Sequence, residues 1–278
     1  MLQELFLKLI GAGINFIALF NADKAGRMAL RIYRRPREGR LEAQDRKFLN
    51  TAEVTAKIGA QGAKVMSYLW NSAGKKEVLL LHGWESNAAR WKPLISKLVK
   101  HNFRVVAIDA PAHGDSDRRS FDMVQYVNAI GEAVRRSTPN FVIGHSLGGS
   151  SLSFYLSRNV RQRFEKIVLM SVPSDLYDLT VDFANMMGFN QRTLKALSDA
   201  FRSTFELELK SISVREFCKS IEIKTLVLHD HKDDVAAVED AINYHEILEN
   251  SELHLTQGYD HSMQALEVYN RIISFIKK

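Results

Sequence analysis

A chain of 278 residues with 46% hydrophobic and 25% charged side chains lies near the mean for soluble globular proteins, which excludes disordered and collagen-like classes. A globule of this size buries roughly 73% of its unfolded surface, so a core can form without staples. The single cysteine, Cys218, excludes an intrachain disulfide and argues against a cysteine-based metal site. The formal charge of +6 permits contact with an anionic surface without requiring it, and no nucleic-acid partner is expected.

In chain order, residues 2–20 and 22–34 read as two helices. In the first, Leu2, Leu5, Phe6, Leu9, Ile10, Gly13, Ile14 and Ile17 form a stripe, while Leu7, Phe16 and Leu19 leave the other side apolar too. A helix apolar nearly all round must be buried in protein or lipid. Lys8 and Asn15 interrupt the run, and a clean membrane span needs ~20 apolar residues. Gln3 and Glu4 stand where a secretory signal would be cationic, and Phe16 or Phe20 falls where cleavage needs a small residue. The segment therefore reads as neither a spanning helix nor a cleaved signal. It is followed by Lys24, Arg27, Arg31, Arg34, Arg35, Arg37 and Arg40 against only Asp23 and Glu38. Basic residues beside an anionic bilayer contribute about 1 kcal/mol each, so the extension could hold the protein peripherally at a membrane. The preferred reading is instead packing on the helical insert at 173–222 or on a second subunit, with the arginines solvated. The expected location is cytoplasmic, or peripheral to the membrane if the first reading holds.

Arg34-Arg35-Pro36 breaks the helical pattern, and a polar stretch runs to about Asn50. Beyond it, strands are expected over 52–58, 64–70, 76–82, 103–109, 140–145, 165–171, 223–229 and 251–256, with the first pair a hairpin turning at Gly59–Gly62. Runs such as Val78-Leu79-Leu80-Leu81 suit strands buried on both faces of a parallel sheet. Helical patterns cover 88–100, 121–137, 147–158, 238–249 and 263–277. This alternation predicts an α/β fold with a mostly parallel central sheet flanked by helices. From Pro173 to Ile221 the chain holds about two helices' worth of residues, rich in Phe and Met, which reads as a small helical cap. The expected segments are a helical extension (1–50), core (51–172), cap (173–222) and core again (223–278).

Gly144-His145-Ser146-Leu147-Gly148-Gly149 follows an apolar strand and opens a helix. G-x-S-x-G in that setting describes a sharp strand-to-helix turn that holds the serine up at the sheet edge, with the glycines required where a Cβ would collide. The positive end of the helix favours negative charge developing beside Ser146. Serine needs a base, itself oriented by a third group. His261, just past the last strand, fits best; His245 falls within a helix, His254 within a strand, and His101 ends a helix on the opposite side of the sheet. In the loop after the strand 223–229, Asp233 is the preferred acid, Asp234 its runner-up, and Asp230 a turn-shaping residue. Two amides should meet the developing oxyanion: Leu147 N–H, directly after the serine, and Trp84 N–H, from the loop His82-Gly83-Trp84.

Together, Leu-Leu-Leu-His-Gly-Trp (79–84), Ile-Asp-Ala-Pro-Ala-His-Gly-Asp-Ser (108–116), Gly-His-Ser-Leu-Gly-Gly (144–149), His-Asp-x-x-Asp (229–233) and Gly-x-x-His (258–261) resemble the α/β-hydrolase family over about residues 52–278. The resemblance implies a Ser146–Asp233–His261 triad, and its His-Gly-Trp loop is similar to that of small carboxylesterases. Relatives often carry glycine directly before the histidine, where this chain has Asp260. No zinc, P-loop or dinucleotide motif occurs, and Gly11-Ala12-Gly13 lies within a helix, so cofactor-free chemistry is expected. The reading is a serine hydrolase of carboxylic esters whose Phe- and Met-rich cap favours an apolar acyl group. A thioesterase, lipase or C–C bond hydrolase on the same triad, or ligand binding without turnover, are the alternatives.

Overall fold

The computed structural model describes residues 2–60, 63–117, 119–121, 123–162 and 164–278, and the chain divides into two compact units. The larger unit comprises residues 36–174 and 214–278. Its eight strands are β1 (Val54–Ala60), β2 (Ala63–Trp70), β3 (Lys76–Leu81), β4 (Phe103–Ile108), β5 (Phe141–His145), β6 (Lys166–Met170), β7 (Thr225–Asp230) and β8 (Ser251–Thr256), in the order β1-β2-β4-β3-β5-β6-β7-β8. β1 and β2 pair antiparallel, as do β2 and β4; every later pairing is parallel. The expected hairpin is thus present, although its tip at residues 61–62 lies outside the described residues.

Strand alternation explains the continuous apolar runs. Val78, Leu80, Val105, Ala107, Phe141, Ile143, Val168, Met170, Leu226 and Leu228 join one core with Leu94, Ile95 and Leu98 of α4 (Lys92–Lys100) and Ile272 and Phe275 of α11 (Leu266–Lys277). The intervening Leu79, Leu81, Val106, Ile108, Val142, Ile167, Leu169 and Val227 are equally buried and point to the other face. That face carries α5 (Met123–Ser137), α6 (Leu147–Arg158) and α10 (Val238–Ile247), with α9 (Val214–Cys218) packed against α6 and α10.

One helix escaped the sequence reading. In the polar stretch before Asn50, α3 (Ala43–Leu49) forms behind a reciprocal cap between Glu42 and Asp45 and buries Leu49 in the same core.

The smaller unit joins residues 1–35 to residues 175–213. Most of the expected extension and most of the expected cap therefore cluster together, whereas residues 36–50 and 214–222, with α3 and α9, belong to the larger unit. α1 (Leu2–Phe20) and α2 (Ala22–Tyr33) pack with α7 (Leu176–Met187) and α8 (Gln191–Phe205). Glycines permit the approach: a Cβ on Gly11 would lie 1.7 Å from the Met187 carbonyl oxygen, and one on Gly26 2.2 Å from that of Ala196. Asn15 Nδ2 donates to the Gly188 carbonyl at 2.8 Å, and the Thr180 hydroxyl donates to the buried Tyr33 hydroxyl at 3.0 Å. Ala25, Ala29 and Leu30 complete the buried face of α2. Phe183 packs against the rings of Tyr33 and Phe189, and Met187 is fully buried. Three Phe and Met side chains of the cap, Phe183, Met187 and Phe189, are therefore engaged inside this unit.

Candidate active site

Ser146 stands between the last residue of β5 and the first of α6, with φ 51° and ψ −126°. That left-handed backbone is strained for a serine and survives because its surroundings over-determine it. The flanking glycines are required as expected: a Cβ on Gly144 would meet Gly149 Cα at 2.6 Å, and one on Gly148 the Leu81 carbonyl oxygen at 2.5 Å. A Cβ on Gly83 would stand 2.8 Å from Ser146 Cβ, so this glycine lets the loop after β3 approach the serine.

The structure brings Ser146, His261 and Asp233 into one hydrogen-bonded chain. Ser146 Oγ lies 3.0 Å from His261 Nε2, and His261 Nδ1 lies 2.9 Å from both carboxylate oxygens of Asp233. Nδ1 can only donate to a carboxylate, so the lone pair of Nε2 faces the serine hydroxyl, which donates to it. The Asp233 side chain is wholly withdrawn from solvent, whereas one-fifth of the His261 side chain remains exposed. Asp234 is exposed and stands outside the chain of contacts.

Asp233 Oδ1 accepts from the amides of Val235 and Ala236, each at 2.9 Å. Burial alone would raise its pKa, but His229, His261 and the Ala236 amide outweigh that and hold the carboxyl far below its ordinary range. Asp230 closes the turn, as expected. It accepts from the Lys232, Gly258 and Tyr259 amides and from the Thr256 hydroxyl, tying the acid loop to the histidine loop. Burial raises its pKa less than these four donors lower it, leaving it at about 2.

The residue before the histidine departs from the family pattern without disturbing the turn. Asp260 adopts φ 49°, the left-handed conformation that glycine takes freely, and its Oδ1 accepts from Ser262 N–H at 2.8 Å. Asp tolerates that region because its short side chain bonds locally.

Two histidines that the motifs contain but do not explain lie beside the triad. His229 Nε2 donates to the Ala236 carbonyl at 2.9 Å and lies 3.3 Å from Asp233 Oδ2, opposite His261. Burial lowers its pKa less than Asp233 and the Ala236 carbonyl raise it. His145 Nε2 donates to the His261 carbonyl at 2.8 Å, and burial keeps its imidazole neutral. Both sit beside named motif residues, yet only the folded geometry shows which loop each one braces.

The loop that carries Trp84 is held by neutral histidines. His82 Nδ1 donates to the Gly83 carbonyl while its Nε2 accepts from Ala110 N–H at 2.8 Å. His113 Nδ1 donates to the Pro111 carbonyl, and its Nε2 accepts from Glu85 N–H at 3.0 Å. Burial depresses both imidazolium pKa values, that of His113 to about 4. Asp109 accepts from the Ala88 and Asp115 amides and the Tyr68 hydroxyl; burial pushes its pKa up to about 6. Trp84 rests edge-on against His113 and Phe121, half-buried. Leu147 opens α6 directly after the serine, where helix amides have no intrahelical acceptor. Among the described residues no cluster of His, Cys, Asp or Glu has the arrangement to hold a metal ion.

A family model described as alpha/beta hydrolase fold matches residues 76–190. A non-heme chloroperoxidase of Streptomyces lividans is 26% identical over 78% of this chain and 98% of its own length. A bifunctional esterase/perhydrolase of Acinetobacter calcoaceticus is 22% identical over 75% of this chain and 94% of its own. The solved structure of an esterase from Pyrococcus furiosus aligns with a TM-score of 0.66 at 21% identity, covering 87% of this chain and 96% of that one; it supports the fold.

Proposed function

We propose that this member of the α/β-hydrolase family is a serine hydrolase that cleaves carboxylic esters through an acyl-enzyme. The observation that carries the reading is the Ser146–His261–Asp233 chain of contacts at 3.0 and 2.9 Å, set on a strained elbow at the start of a helix. Ser146 Oγ attacks the acyl carbon while its proton passes to His261 Nε2. Asp233 holds the ring in the Nδ1–H tautomer and stabilises the imidazolium. The oxyanion accepts hydrogen bonds from Leu147 N–H and Trp84 N–H, each worth about 2.7–4 kcal/mol of barrier. His261 then gives its proton to the departing alkoxide. Water, deprotonated by the same Nε2, releases the carboxylic acid and restores the serine.

An apolar acyl group is the favoured substrate portion. With Phe183 packed against Tyr33 and Phe189, and Met187 fully buried, the support for it comes from Trp84, whose half-buried indole is carried by the loop that approaches Ser146 at Gly83. The experiment is turnover of p-nitrophenyl esters. Ser146→Ala and His261→Ala should each remove most of the rate, and the double variant should be scarcely worse, because residues acting as a unit are non-additive. Near-normal turnover by Ser146→Ala would overturn the mechanism.

The esterase/perhydrolase relative favours a second acceptor for the same acyl-enzyme, hydrogen peroxide in place of water, giving a peracid. Peracid formation from an ester and peroxide, lost in Ser146→Ala, would support it; its absence would leave water as the acceptor.

A further inference from the structure

The first helix has two apolar faces, and the protein covers only one. Gly11, Ile14 and Ala18 are buried, at the i, i+3, i+7 spacing of a single helical face. Leu5, Phe6, Leu9, Phe16 and Phe20 fall on the opposite side at 3.6 residues per turn, with Leu19 on its flank. All six are more than half exposed, and Phe20 is 78% exposed. Together they expose apolar surface on the order of 600 Å², at the upper limit for the largest patch on a typical monomer. The polar side chains of the helix, Glu4, Lys8 and Asn15, lie along the border between the two faces, where Glu4 pairs with Lys8 and Asn15 bonds to residues 188 and 190. None of them interrupts the exposed ridge.

The next helix supplies the charge. Between Asn21 and Arg35 the chain carries five basic residues against one acidic residue, Asp23. Lys24, Arg27 and Arg31 project from the side of α2 opposite its buried Ala25, Ala29 and Leu30; Arg27 pairs with Asp23. Arg192 adds a cation at the end of the ridge, donating to the Leu19 carbonyl at 3.3 Å. α1 and α2 pack on each other and on α8, so the basic face belongs to the helix next to the one that carries the ridge.

We propose that this ridge is a docking surface for an anionic lipid bilayer, with the α1 side chains entering the headgroup–acyl boundary and the α2 cations meeting lipid phosphates and carboxylates. An apolar face flanked by basic residues is the composition of an interfacial helix. Among the described residues no helix is long and apolar enough to cross a membrane, so α1 lies on the surface. Charge selects lipid over a second copy of the chain: two copies joined through this face would place two sets of Lys24, Arg27 and Arg31 in one interface, with Asp23 the one acidic residue that α2 brings to offset each set.

The test uses the full chain, because removing α1 and α2 would strip α7 and α8 of the partners described above. Flotation is measured with phosphatidylcholine vesicles with and without phosphatidylserine. Two double variants, Leu9→Glu with Phe16→Glu and Lys24→Glu with Arg31→Glu, alter only exposed positions, and thermal melts check their folding. The wild-type chain should float with phosphatidylserine vesicles at low salt and be released at high salt. Each variant, melting like wild type, should lose binding at least ~10-fold. Absence of flotation at low salt, or flotation unchanged in Leu9→Glu/Phe16→Glu, would overturn the proposal. So would a wild-type dimer in sedimentation that this variant dissolves without any vesicle binding, because a second copy would then cover the ridge.

Discussion

Replacing Asp233 with asparagine should reverse the tautomer of His261, and the structure shows why. Oδ1 of Asp233 already accepts two amides, from Val235 and Ala236, each at 2.9 Å. An asparagine must keep its oxygen there, since its NH₂ group would otherwise face two N–H donors. Nδ2 then takes the place of Oδ2, 2.9 Å from His261 Nδ1 and 3.3 Å from His229 Nε2. The oxygen has no third lone pair for the His261 Nδ1 proton, so Nδ1 becomes an acceptor and the proton moves to Nε2. Nε2–H then faces Ser146 Oγ at 3.0 Å and cannot take its proton. A triad held in the wrong tautomer with its geometry intact loses about 10⁴ in kcat, equivalent to about 5.5 kcal/mol of barrier. Asp234→Asn changes an exposed side chain and should stay within about twofold of wild type. The assay is kcat/KM on a soluble p-nitrophenyl ester, with circular dichroism confirming that both variants fold. Asp233→Asn within about tenfold of wild type, or a larger loss in Asp234→Asn, would refute the reasoning.

Two further expectations concern stability. Gly11→Ala forces a Cβ to 1.7 Å from the Met187 carbonyl oxygen and should destabilise by about 1–3 kcal/mol, whereas Gly13→Ala, with nothing within 4 Å, should gain about 0.5–1 kcal/mol from helix propensity; thermal melts of both variants check this contrast. Asp230, held at about 2 in the folded chain, contributes stability that is present above its unfolded pKa of about 3.9 and is lost as pH falls toward 2. The wild-type melting temperature should therefore fall across that window, and Asp230→Asn, less stable at neutral pH, should fall less; a variant that tracks wild type through the window would contradict the role given to the four donors.

Much of the larger unit was legible because its signals are local. Alternate residues of β3, β4 and β5 feed two cores, which leaves the continuous apolar runs that mark buried parallel strands. The elbow carries its own steric requirement in Gly144 and Gly148. The acid was harder, because three carboxylates fall within five residues and spacing cannot tell which one turns inward. Asp230 is drawn to the amides of residues 258 and 259, while Asp233 is held by those of residues 235 and 236. The bracing roles of His145 and His229 depend on carbonyls distant in sequence or on loop closure, which no motif encodes. Packing of α1 on the cap follows from a helix apolar nearly all round, but the points of closest approach were hidden: Gly11 and Gly26 look like ordinary helix residues until a second helix backbone lies against them. α3 was missed because a short polar helix held by one reciprocal cap shows little hydrophobic periodicity.

The central claim is that Ser146 is a nucleophile activated by His261. Labelling the intact protein with a fluorophosphonate and mapping the adduct by peptide mass spectrometry tests it most directly. The account predicts one adduct, on Ser146, that is absent from Ser146→Ala and formed far more slowly in His261→Ala. A wild-type protein that stays unlabelled, or an adduct that persists on another residue in Ser146→Ala, would contradict it.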